Sequence, residues 1–264
     1  MSILELLVEF VFRLTFGVAL AMGVTSSRWV TSGFYRVHLW VLMGLNTLAS
    51  LSLATDGELL GGSQGRATTV LALAIALAVA SYVGAVVWLY EQARLGYYFL
   101  FGIMTGGLVA GVLASSAWRL DAGWLVPAVA VLDVAASGLL LGITLTAMFL
   151  GHWYLNTPMM ELSPLRRLVL CLMGAVLLRM ACSALGLVWH LSASSSGDAS
   201  FWIFLTLRWL AGLVAPLWLA CLTWWTLKIP NTQSATGILY ATVILTFIGE
   251  LTAQFLSRQH PYPL

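Results

Sequence analysis

Six charged side chains lie where the sequence offers them no water. Glu9, Arg13, Asp133, Arg179, Arg208 and Glu250 each stand inside a long apolar run. Left isolated in a bilayer, each would cost roughly 2.5–3.5 kcal/mol on the gentler insertion scale, so they must pair, face inward or line a wet cavity. Glu9 and Arg13 are four residues apart, which puts both on one helix face. At about 1.5 Å per residue, they lie about 9 and 15 Å below the start of their helix. Asp133 comes out about 14 Å deep, Arg179 about 16 Å, and Arg208 and Glu250 about 10 Å, all from the side that carries the termini. The amide of Asn46 lies about 12 Å from that same side. Carboxylates and guanidinium groups at matched depth can act in two ways. They can tie helices together as ion pairs, or they can line a pocket that binds a polar head group or moves a proton. The sequence leaves both open.

Helices that cross a bilayer must position these groups. Of 264 residues, 61% are hydrophobic and 8% charged, against about a quarter charged in a typical soluble domain. Apolar runs at about 3–24, 31–54, 68–90, 95–115, 124–151, 165–190, 200–225 and 235–256 each supply the roughly 20 residues a span needs. The expectation is an all-α polytopic membrane protein of about eight transmembrane helices, one domain over residues 1–264, with no soluble domain. The first run is a poor signal peptide, because Glu5 and Glu9 stand where a basic segment belongs. Gly102/Gly106, Gly107/Gly111 and Gly138/Gly142 have the small-xxx-small spacing that lets helix backbones approach closely. Pro127 and Pro216 are expected to bend their helices. The stretch GHWYLNTP reads as an aromatic turn held open by Pro158 and Pro164, with Arg166 and Arg167 anchoring the next helix. Trp29, Trp118, Trp124, Trp153, Trp224 and Trp225 near helix ends suit an interfacial belt.

The remaining reactive residue types are sparse. A bis-histidine haem needs two imidazoles at one depth facing each other. His38 and His152 are the weak pair for it, so no haem is expected, and no metal-ligand cluster is present in the sequence. Cys171, Cys182 and Cys221 all fall in apolar segments and read as small buried thiols. A net charge of +2 does not suit nucleic acid. Ser137 with the His152–Asn156 spacing resembles pieces of intramembrane rhomboid proteases, but in the wrong order. Ser137 and His152 are also about 22 Å apart along one helix, too far for a nucleophile and its base.

An even number of spans puts both termini on one side. Arg28, Arg36, Arg94, Arg166, Arg167 and Lys228 fall on the opposite side. The terminal side has Arg66, Arg119 and Arg258, together with Asp56, Glu58, Asp121 and Asp198. The positive-inside rule then places both termini outside a cytoplasmic (inner) membrane.

RWLAGLVAPLW (Arg208–Trp218) and GELTAQFL (Gly249–Leu256) resemble the closing part of the DMSO-reductase and polysulfide-reductase membrane-anchor family. The likeness covers about 50 residues of the chain. It implies a helical bundle that binds quinol without haem and passes electrons to iron–sulfur partner subunits, with Arg208 and Glu250 lining a quinone pocket. The expectation is therefore a membrane subunit that binds a quinone or similar amphiphile in its outer half, anchors a larger redox complex and is not catalytic alone. Asp133, Arg179, Arg208, Glu250, Glu9, Arg13 and Asn46 are its candidate ligand-binding residues. A small-solute or proton-coupled transporter, or a purely structural scaffold subunit, are the alternatives.

Overall fold

A computed structural model describes residues 3–55, 64–115, 123–157, 160–193, 198–229, 231–260 and 262–264. The helices are α1 (Ile3–Val24), α2 (Ser32–Thr55), α3 (Gln64–Leu89), α4 (Ala93–Ala114), α5 (Val126–Asn156), α6 (Ser163–Ala193), α7 (Ala199–Trp209), α8 (Ala215–Lys228) and α9 (Thr232–Gln259). A π-helical turn, Leu210–Val214, joins α7 to α8, so Ala199–Lys228 is one rod. The described residues thus form eight rods, and no strand. Seven of them are long and apolar enough to cross a membrane; α1, which carries Glu5, Glu9 and Arg13, is not among these.

Instead, α1 is the central post. It is buried over most of Val8–Met22 and packs between α4 and α5. Glycine makes that placement possible. Gly17 of α1 meets Gly138 and Gly142 of α5 backbone to backbone, and an added Cβ at Gly17 or Gly142 would overlap the partner main chain. On its other side, a Cβ at Gly107 would come within 2.9 Å of Phe16 N. The small-residue spacing is therefore a packing device in both α4 and α5. Gly102, by contrast, faces open space.

Three expectations need correction. Cys171 is exposed and Cys221 half-buried, so of the three thiols only Cys182 is buried as expected. GHWYLN is not a turn: it forms the last turns of α5, which ends at Asn156, with Thr157 leaving the helix at φ −132 and ψ 75. The residue before a proline is disfavoured in helical geometry, so Thr157, not Gly151, is where Pro158 stops the helix. Pro158 itself lies outside the described residues. Pro127 sits in the first turn of α5, where its missing N–H costs nothing, so it starts the helix rather than bending it. Pro216 acts mid-rod. It has no N–H to bond back with, and the preceding turn slips to π register, with Ala215 N donating to Leu210 O.

Helix ends carry the expected polar fittings. Asp198 caps α7, accepting from Phe201 N at 2.9 Å and Ser200 Oγ at 2.8 Å. Those bonds hold its carboxyl below the usual carboxylate range. Arg166 donates to Leu227 O at 2.9 Å, stitching the start of α6 to the end of α8. Near the start of α2, Tyr35 stacks on Trp88 at 3.9 Å and donates to Thr25 O. Trp29 and Trp225 are exposed near helix ends. The acids Asp56, Glu58 and Asp121, with Trp118 and Arg119, lie outside the described residues.

Candidate functional site

The six charges picked out by depth come together, and two more join them. Arg13 Nη2 lies 2.5 Å from Glu9 Oε1 and 2.7 Å from Asp133 Oδ2. Asp133 Oδ1 accepts from Arg179 Nη1 at 2.6 Å. Glu250 Oε1 lies 3.1 Å from Arg179 Nε and 2.9 Å from Arg208 Nη2. On the other side of Glu9, Oε2 meets Arg258 Nη2 at 3.0 Å, and Arg258 also pairs with Glu5. The links form one unbranched line: Glu5, Arg258, Glu9, Arg13, Asp133, Arg179, Glu250, Arg208. Signs alternate along it, four acids against four arginines, so it is neutral as a whole. It ties α1, α5, α6, α7 and α9 together.

Six members are buried, and the two at the terminal end, Glu5 and Arg258, are half-buried, with side chains only 16% and 4% exposed. The remaining lone pairs are partly met. Ser137 donates to Glu250 Oε2 at 2.6 Å, and Ser183 Oγ lies 3.3 Å from Arg208 Nη2. Ser137 is thus a second-rank ligand of a carboxylate and has no nucleophile's surroundings. Arg208, at the other end of the line from Glu5, leaves Nε and Nη1 without a partner.

Sequence depth missed Glu5 and Arg258, because both sit near helix ends where long side chains could reach water. A spacing signal was available. Glu5, Glu9 and Arg13 follow one another at four-residue intervals, as do Glu250, Gln254 and Arg258, so each set shares a helix face. Asn46 is not brought to the line. Its Nδ2 donates to Thr15 Oγ1 at 2.9 Å and to Leu42 O at 2.8 Å, tying α2 to α1.

A cleft of about 210 Å³ lies between α5 and α6, lined by Val129, Leu132, Asp133, Cys182, Leu185, Gly186, Trp189 and Pro263. Asp133 is the charged group in an otherwise apolar wall. Leu132 and Leu185 are exposed at 49% and 68%, so the cleft opens sideways, toward the bilayer. A roomier cleft of about 450 Å³ between α3 and α4, lined by residues such as Leu73, Leu77, Phe99 and Gly102, holds no charged side chain to orient a head group.

The histidines have separate partners. His38 Nδ1 lies 2.8 Å from Phe34 O, with its ring against Phe34 and Phe149. His152 Nδ1 lies 3.3 Å from Tyr240 Oη on the protein surface. Among the described residues, no group of three or more His, Cys, Asp or Glu could hold a metal ion.

Fold and site together define a multi-pass helical protein with a neutral, eight-member, largely buried ion-pair line on the side of the chain's two ends. No family model, no curated protein and no solved structure matches the chain.

Proposed function

We propose that this chain is an integral membrane subunit that binds a quinone or similar amphiphile at the α5–α6 cleft and anchors partner subunits of a redox complex. The observation that carries the reading is the cleft itself: an apolar slot of about 210 Å³ open to lipid, with Asp133, the residue that joins Arg13 to Arg179, among those lining it. A pocket of apolar lining with a few convergent polar groups suits a ring-shaped head. Its volume takes the head alone, and an apolar tail would run out between Leu132 and Leu185 into the acyl chains. The likeness of Arg208–Trp218 and Gly249–Leu256 to the anchor family belongs to the same proposal. Any electrons would pass to a cofactor in a partner subunit. The chain would sit in the cytoplasmic membrane with its cleft in the outer half.

The ion-pair line also bears on the alternatives. A proton relay would have to cross a guanidinium between every pair of carboxylates, and arginine does not release its proton in proteins. That disfavours a proton-coupled transporter. A scaffold role has one observation in its favour, the mutual neutralisation of all eight charges, and needs no ligand.

The test is photolabelling of the full chain in lipid nanodiscs with an azido-benzoquinone bearing a decyl tail. Adducts on the peptides holding Cys182, Leu185 and Trp189, competed away by excess decyl-benzoquinone, are the expected result. Labelling that is absent, or confined to α3 and α4, overturns the proposal.

A further inference from the structure

Beyond α9 the chain turns back along the cleft. His260 leaves the helix at φ −122 and ψ 114, and Tyr262 N donates to His260 O at 2.7 Å. Leu264 is fully buried among Phe201, Leu205 and Leu256, and its N–H reaches Ser257 Oγ at 3.2 Å. Between these points Pro263 lies across α6. Its carbonyl rests on Gly186, where an added Cβ would overlap it, and Pro263 is one of the residues lining the cleft. The Tyr262 ring packs on Trp189 at 5.6 Å and on His190 at 5.4 Å, and His190 in turn faces His260 at 4.8 Å.

We infer that Tyr262–Leu264 is a releasable flap on the wall of the α5–α6 cleft, anchored by Leu264 and seated on Gly186, whose lifting widens the lateral opening by which the occupant enters and leaves. The inference rests on the cleft being the ligand site proposed above. Several features set this segment apart from a fixed wall. It lies outside any helix, so few backbone bonds of its own hold it in place. Its hold on the bundle is one buried leucine, one hydrogen bond to a serine hydroxyl and contacts between aromatic rings. The seat on α6 is a glycine, and the cleft behind it is already empty enough for a ring. Segments that open locally are those with few buried contacts and few backbone hydrogen bonds.

Cys182 supplies a native reporter, because it lines the cleft and is only 6% exposed. With Cys171→Ser and Cys221→Ser removing the other thiols, its alkylation by N-ethylmaleimide measures access to the cleft. Leu264→Asp replaces the buried anchor with a charge and should speed Cys182 alkylation at least tenfold. Gly186→Ala lifts the Pro263 carbonyl from its seat without touching the anchor, and should accelerate it in the same direction. Should Leu264→Asp fail to fold, Gly186→Ala alone carries the test. An unchanged rate in the folded variants refutes the flap. The two proposals fail separately. If alkylation accelerates but decyl-benzoquinone gives Cys182 no protection, the flap stands and the quinone is refuted. If photolabelling at the cleft succeeds while alkylation stays at the wild-type rate, the ligand stands and the flap is refuted.

Discussion

Each interior member of the ion-pair line is shared by two neighbours of opposite sign, so the cost of a substitution depends on how it divides the line. Removing Asp133 alone leaves Glu5, Arg258, Glu9 and Arg13 neutral, but Arg179, Glu250 and Arg208 carry an excess positive charge. Stranding one buried charge in this way costs about 3–5 kcal/mol by analogy with soluble interiors. Asp133→Leu/Arg179→Leu removes adjacent partners and leaves two neutral remnants, so most of that loss should be recovered. Arg13→Leu/Glu250→Leu removes the same total charge but leaves a negative group around Arg258 and a lone Arg208. It should be the less stable double variant by about 3 kcal/mol or more, as read from equilibrium unfolding in mixed micelles. Equal stabilities would mean that the charges do not act as one line. The same experiment separates ligand pocket from scaffold. A folded Asp133→Leu/Arg179→Leu variant that still photolabels at the cleft would remove Asp133 from the binding role. At this scale the sequence was informative where helix position alone forces burial, as for Arg179 in mid-helix. It was uninformative about rotation: Asn46 has the right depth, but α2 turns it toward Thr15 rather than Asp133.

Helices are positioned by what their close contacts omit. Gly17, Gly138 and Gly142 let α1 and α5 touch along their backbones, and this brings Arg13 within reach of Asp133. Gly17→Ala and Gly142→Ala should each push the two helices apart. Overpacking of this kind typically costs about 1–3 kcal/mol, and here the line of ion pairs would stretch as well. Gly44→Ala and Gly174→Ala are the matched controls, since nothing lies within 4 Å of a Cβ at either site. They should hold or slightly raise the melting temperature in detergent, and a loss equal to that of Gly17→Ala would contradict the packing account. Seven of the eight apolar runs were legible because a bilayer demands length and hydropathy, and both are properties of the local sequence; the central, charge-bearing α1 does not meet that measure. The cleft was not, because it depends on where the chain goes after Gln259. No local pattern tells that Pro263 will lie on Gly186. GHWYLN misled for a related reason: its polar and aromatic residues suit a turn, yet only the proline after Thr157 ends the helix.

At the scale of the whole molecule, the bundle is asymmetric in charge. The acids and bases of the ion-pair line cancel, so the charges left to address a membrane potential or a charged leaflet are those at the loops. On the side away from the termini, Arg28, Arg94, Arg166, Arg167 and Lys228 are exposed. On the terminal side, Arg258 is held between Glu5 and Glu9, with its side chain only 4% exposed. Arg66 donates to Leu113 O at 2.6 Å. Basic residues in short loops set orientation, and acids contribute little to it. Withdrawing Arg258 into the line therefore sharpens the bias beyond a simple count of lysines and arginines. Both chain ends should face away from the cytoplasm, and with them the Glu5 end of the line and the flap on the cleft wall. Paired fusions after Leu264 give the check. Alkaline phosphatase, active only outside the cytoplasm, should be active there, and green fluorescent protein, which fluoresces only inside, should be dark. The reverse pattern would turn the cleft toward the cytoplasm and place any partner subunit on that face. Arg258→Leu then tests the cause. If the orientation is set by the exposed bases of the opposite loops, removing a base already neutralised by Glu5 and Glu9 should leave both reporters unchanged, even as it loosens the line.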